Sequence, residues 1–79
     1  MSQAITIIDP STIVRQGLVH LINNKTDYHV ISDYDNSYRL FERFESDDTD
    51  IVIAEYYLPD INGLDLIRIL KVKTALLRL

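Results

Sequence analysis

A doubly wound α/β fold built on a parallel sheet is what this chain predicts, and three observations predict it. Short apolar runs rich in β-branched residues alternate with segments of helical period, in the order βαβαβα. The third run, Ile51-Val52-Ile53-Ala54, is uninterrupted and lies between Asp50 and Glu55, which suits a central strand covered on both faces. Each run ends in turn or capping chemistry, such as Asp9-Pro10 and Asn62-Gly63.

Taken in order, Ala4 to Ile8 reads as a buried first strand, and Pro10 cannot extend it as an interior strand. Ser11 or Thr12 caps the first helix, whose Val14, Leu18, Leu21 and Ile22 recur at i, i+4, i+7 and i+8 and face inward. It ends near Asn23-Asn24. Tyr28 to Ser32 is a weaker second strand, and Asp33 to Ser37 is a polar connection supplying the next N-cap. Leu40, Phe41 and Phe44 form the core stripe of a second helix, with Arg39, Glu42, Arg43 and Glu45 mostly on the other face. The acidic stretch Glu45 to Asp50 is a solvated loop. Asp50 to Glu55 is the third strand, Leu58 to Gly63 is a turn, and Leu64 to Leu70 is a third helix with Leu66, Ile67 and Leu70 inward. Lys71 to Leu79 stays open between a helix extension, the approach to a fourth strand and unrelated residues.

At 79 residues the chain is a single unit, and a core of this size is usually helped by disulfides, metal or association. With no Cys and two isolated His residues, His20 and His29, disulfides and Cys/His zinc sites are excluded. Both His are read as structural or exposed. No secretory signal and no apolar run of spanning length is present, which predicts a cytoplasmic protein without membrane contact. Residues 1–67 carry −8 and residues 68–79 carry +4. The acidic body argues against nucleic-acid binding by these residues.

In open parallel sheets ligands sit at the carboxyl ends of the strands near a switch in strand order. Those ends are Asp9 and Glu55, so two carboxylates are expected at one crevice, or else as caps of the following segments. Like charges so placed call for a cation between them. Tyr56 and Tyr57 lie beside Glu55 and read as packing residues.

Three stretches then resemble the receiver domain of bacterial two-component response regulators, of the type fused to a helix-turn-helix (LuxR-like) DNA-binding domain. They are Ile5-Thr6-Ile7-Ile8-Asp9 with Ile13-Val14-Arg15-Gln16-Gly17-Leu18, then Asp50-Ile51-Val52-Ile53-Ala54, then Leu58-Pro59-Asp60-Ile61-Asn62-Gly63-Leu64. The resemblance implies a flavodoxin-like fold truncated to βαβαβα, lacking the last two βα units: one incomplete domain over residues 1–79 with no DNA-binding domain. In the strand order 2-1-3-4-5 that it implies, strand 3 becomes an open edge and invites a homo-oligomer.

The same resemblance places the phosphoacceptor position on Glu55, a residual Mg²⁺ position on Asp9 and a Mg²⁺-binding backbone carbonyl on Tyr57. The second of the family's paired acids is replaced by Pro10, which offers no ligand. The extra methylene of Glu55 moves its carboxylate roughly a bond length into the phosphoryl position, where attack needs reacting atoms about 3–3.5 Å apart. No cofactor is therefore expected, with Mg²⁺ binding weakened. The implied role is a non-enzymatic regulatory domain, not phosphorylated in the usual way, acting on a protein partner: another response regulator, itself or a sensor kinase. Arg15 and Gln16 are read as surface residues on the helix where a kinase docks in this family. A permanent charge at Glu55 could imitate phosphorylation. Two alternatives stay open: a Mg²⁺-dependent phosphoacceptor using Glu55 or a nearby Asp, and a remnant with no activity of its own.

Overall fold

The computed structural model describes residues 3–43 and 48–70, and the backbone of residues 73–77. Its elements are β1 (Ala4–Ile8), α1 (Thr12–Lys25), β2 (His29–Tyr34), α2 (Ser37–Arg43), β3 (Ile51–Glu55), α3 (Gly63–Leu70) and β4 (Lys73–Leu77). The sheet is parallel with order β2-β1-β3-β4. Phe44 and positions 45–47 of the acidic stretch lie outside the described residues.

The tail resolves the open reading and corrects an expectation. Residues 73–77 form a fourth strand paired with β3 from Ile51↔Lys73 to Glu55↔Leu77, so strand 3 is not the open edge through which a homo-oligomer was expected. β3 is apolar from Ile51 to Ala54 because both faces are covered, Ile51 and Ile53 packing with the α1-side core and Val52 and Ala54 with the opposite one.

Alternation along β1 builds two cores. Ile5 and Ile7 face α1 and pack with Ile22, Leu18, Val19, Val30, Ile51 and Ile53. Ile8 faces α2 and α3 and packs with Leu40, Val52, Ala54, Leu66 and Leu70. The third helix follows its reading, with Leu66 and Leu70 buried and Ile67 half-buried.

Two helix stripes differ from the sequence reading. In α1 the inward line runs through positions 15, 18, 19 and 22, so Leu21 is 55% exposed and Val19 takes its place. In α2 Leu40 is buried but Phe41 is 41% exposed, because this two-turn helix presents one narrow side to the sheet. β2 also runs two residues further than Ser32. Its pairing with β1 slips between Val30 and Ser32, leaving Ile31 as an extra, exposed residue. That bulge keeps Val30 on the α1 side and places Asp33 there too, while Tyr34 joins the opposite core.

Capping follows from short polar residues. Ser11 has extended backbone (φ −82°, ψ 116°) and its Oγ accepts from Val14 N at 3.3 Å. The Asn36 side chain accepts from Arg39 N at 2.9 Å.

Candidate functional site

The β1–β3 register pairs Ile8 with Ala54, so the next residues, Asp9 and Glu55, stand on neighbouring strands at the carboxyl end of the sheet. Both are buried, at 3% and 7% exposure. The two carboxylate-bearing residues expected from the strand ends therefore stand side by side at one end of the sheet.

Each carboxylate is partly committed to its own loop. Asp9 Oδ1 accepts from Ser11 N at 2.8 Å, an Asx turn that starts the path into α1. Glu55 Oε1 accepts from Tyr57 N at 3.2 Å, folding the longer side chain back over the residues that follow it. Asp9 Oδ2 is buried and has no hydrogen-bond partner among the described residues.

The loop behind Glu55 is closed on itself. Gly63 N donates to Tyr56 O at 2.8 Å, and Tyr57 and Asn62 form an isolated antiparallel bridge. The rings of Tyr56 and Tyr57 meet edge to face at 4.8 Å between centroids, yet Tyr57 remains 59% exposed, so it packs less than the sequence suggested. His20 and His29 are both exposed and stand apart from this site.

Sequence reasoning missed two residues that shape the site. Arg15 is not a surface residue: its side chain is 12% exposed, its Nε donates to Asp33 Oδ2 at 2.7 Å and its Nη1 donates to Asp9 O at 2.8 Å. It clamps the end of β1 to β2. Position 15 falling on the inward stripe with 18, 19 and 22 is the signal that would have found it. Asp60 is the other. Its carboxylate accepts from Ser37 Oγ at 2.6 Å, Tyr38 N at 3.2 Å and Ser37 N at 3.4 Å, tying the β3–α3 loop to the start of α2. Desolvation pushes its carboxyl upward, but the Ser37 hydroxyl and the Ser37 and Tyr38 amides outweigh it and hold the group below the ordinary range.

A divalent cation at this site would meet a mixed set of donors. The orphaned Asp9 Oδ2 is the atom such an ion would satisfy. Against it, Pro10 contributes no oxygen, Glu55 Oε1 is turned to an amide, and no three His, Cys, Asp or Glu side chains among the described residues group as a metal site.

A parallel α/β sheet with acids at the ends of β1 and β3 defines a receiver-type domain. The profile of the response regulator receiver domain matches residues 5–78, and the chain belongs to that family. It is 29% identical over 69 residues to the transcriptional regulatory protein YdfI of Bacillus subtilis (strain 168), an alignment covering 87% of this chain and 32% of that protein. In structure it is similar to a two-component response regulator of the LuxR family from Aurantimonas sp. SI85-9A1, with TM-score 0.80, 23% identity and coverage of 99% of this chain and 59% of that one. It is also similar to the signal receiver domain of NarL from Mycobacterium tuberculosis, with TM-score 0.76, 18% identity and coverage of 98% and 64%. The chain thus spans about a third of its curated relative.

Proposed function

We propose that this chain is the regulatory receiver portion of a transcriptional response regulator that works by protein–protein contact, without ordinary acceptance of a phosphoryl group. The observation that carries this reading is at Glu55. The acceptor position holds a carboxylate that is one methylene too long and hydrogen-bonded to its own loop, beside a β1 end where Pro10 stands in place of an acid. The transcriptional role is supported by the relatives' descriptions as regulators of transcription and of the LuxR family.

In this reading the fixed negative charge of Glu55 occupies part of the space of a phosphoryl group. It is a partial copy, since a phosphoryl group carries about −1.5 to −2 charge and three acceptor oxygens. The partner is a protein, either another response regulator or a sensor kinase, and the domain is regulatory rather than enzymatic. A cytoplasmic location belongs to the same proposal; no helix among the described residues is long and apolar enough to cross a membrane.

The test is the affinity of wild type and Glu55→Gln for a response-regulator or kinase partner recovered by crosslinking. The charge reading expects weaker binding by Glu55→Gln with an unchanged fold. Equal binding by both proteins would remove Glu55 from the mechanism. A second reading, a Mg²⁺-dependent phosphoacceptor, has one observation in its favour, the unpartnered Asp9 Oδ2. A saturable Mg²⁺-induced shift of the Asp9 and Ser11 amide signals would support it.

A further inference from the structure

A cavity of about 340 Å³ opens on the β2 side of the strand ends, between α1 and α2, lined by Arg15, Asp33, Tyr34, Asp35, Arg39 and Arg43. Its volume lies at the small end of the range for small-molecule sites, roughly 300–1,000 Å³.

The charges in it are unequally satisfied. Asp33 is held by Arg15 Nε at 2.7 Å and by Gln16 Nε2 at 3.2 Å. Asp35 Oδ1 accepts from Asn36 Nδ2 at 3.0 Å. Arg39 reaches Asp35 only at 3.9 Å, beyond hydrogen-bond distance, and Arg43 forms no ion pair among the described residues. Among the described residues the acids have close donors, whereas Arg39 has only its long ion pair to Asp35 and Arg43 has none. Arg39 and Arg43 are also one helical turn apart, so their like charges repel. An anion between them relieves that repulsion and meets two planar forks suited to bidentate binding of an oxyanion.

We infer that this cavity is a binding site for a small oxyanion on an organic body, of the phosphomonoester class, held by the guanidinium groups of Arg39 and Arg43 against the fixed wall of Arg15, Asp33 and Tyr34. The cavity exceeds what a bare phosphate ion fills, which favours a ligand with a body. The site draws on neither Glu55 nor its charge, so it stands apart from the function proposed above.

The test is a titration of the ¹⁵N-labelled full chain with phenyl phosphate and, separately, inorganic phosphate, against sodium chloride at matched ionic strength. Saturable shifts are expected at the amides of residues 33–39 and the Nε–H signals of Arg15, Arg39 and Arg43, with phenyl phosphate the tighter. An Arg39→Gln/Arg43→Gln protein with a native-like spectrum is expected to bind roughly tenfold more weakly or worse. Glu55→Gln is expected to bind as wild type does, which separates this site from the proposed function. Shifts reproduced by sodium chloride, retained in the double variant or centred on Asp9 and Glu55 would overturn the proposal, as would no saturable shift.

Discussion

Thr6 shows how a single side chain can fix the relation of three segments. It is fully buried, and its hydroxyl is within 3.0 Å of Ser32 Oγ and 2.8 Å of Thr49 Oγ1. Thr6→Val keeps the shape and strips both neighbours of a partner, so a loss of about 1–3 kcal/mol is expected in denaturant unfolding. Asp60 gives a pH signature. Its folded pKa is lowered, so the stability it contributes is present above its unfolded value of 3.8 and is lost as pH falls through the lower folded value. Asp60→Asn removes the charge-assisted cap of α2, with an expected loss of about 1 kcal/mol at neutral pH and a flatter acid limb than wild type in urea midpoints measured from pH 6 to pH 3. An unchanged acid limb would show that the three hydrogen bonds carry no linkage. Asp60 was legible as turn chemistry but not as a cap, because its partners Ser37 and Tyr38 are 22–23 residues away in sequence.

At the scale of the element, β2 is where sequence and structure part. By sequence the strand ends at Ser32, since Asp33 looks like a loop residue, whereas the bulge at Ile31 carries Asp33 to the α1 side as the partner of Arg15. A period-two pattern does not reveal an inserted residue. The geometry makes a counter-intuitive prediction. Deleting Ile31 leaves Val30 and Ser32 in regular alternation opposite Ile5 and Thr6, so the variant is expected to fold, with the Arg15 and Asp33 signals near their wild-type positions. It also gives β2 a straighter edge, and greater self-association is expected by sedimentation. An unfolded deletion variant would contradict the register. The helix stripes were legible in period but not in phase: Ile22 and Leu18 were placed correctly, while Leu21 and Phe41 were not, since each helix touches the sheet along a line narrower than its apolar arc.

For the whole molecule, the alternation of strands and helices and the strand ends at Asp9 and Glu55 were legible from the pattern alone, because strands buried on two faces are apolar throughout and end in polar residues where the sheet ends; the strand order came only with the family resemblance. The fourth strand was not legible, since Leu and Ala among basic residues fit a helix as well as a strand. Its pairing with β3 decides how the sheet holds together. A chain ending at Leu70 is expected to lose hydrogen-exchange protection over Ile51–Glu55, while β1 and β2 amides keep more of theirs; equal protection in both chains would mean that β4 adds nothing to the ladder.

Asp9, Glu55 and Tyr57 were named at the site from sequence, and their neighbourhood is now fixed by register and hydrogen bonds. Their chemistry rests on one claim: that the Pro10 and Glu55 positions prevent ordinary phosphoryl uptake. The direct measurement is the intact mass of wild type and of a Pro10→Asp/Glu55→Asp protein after incubation with Mg²⁺ and a small-molecule phosphodonor such as acetyl phosphate. The account predicts no added phosphoryl group on wild type and a hydroxylamine-labile one on the double variant. A stoichiometric adduct on wild type would contradict it.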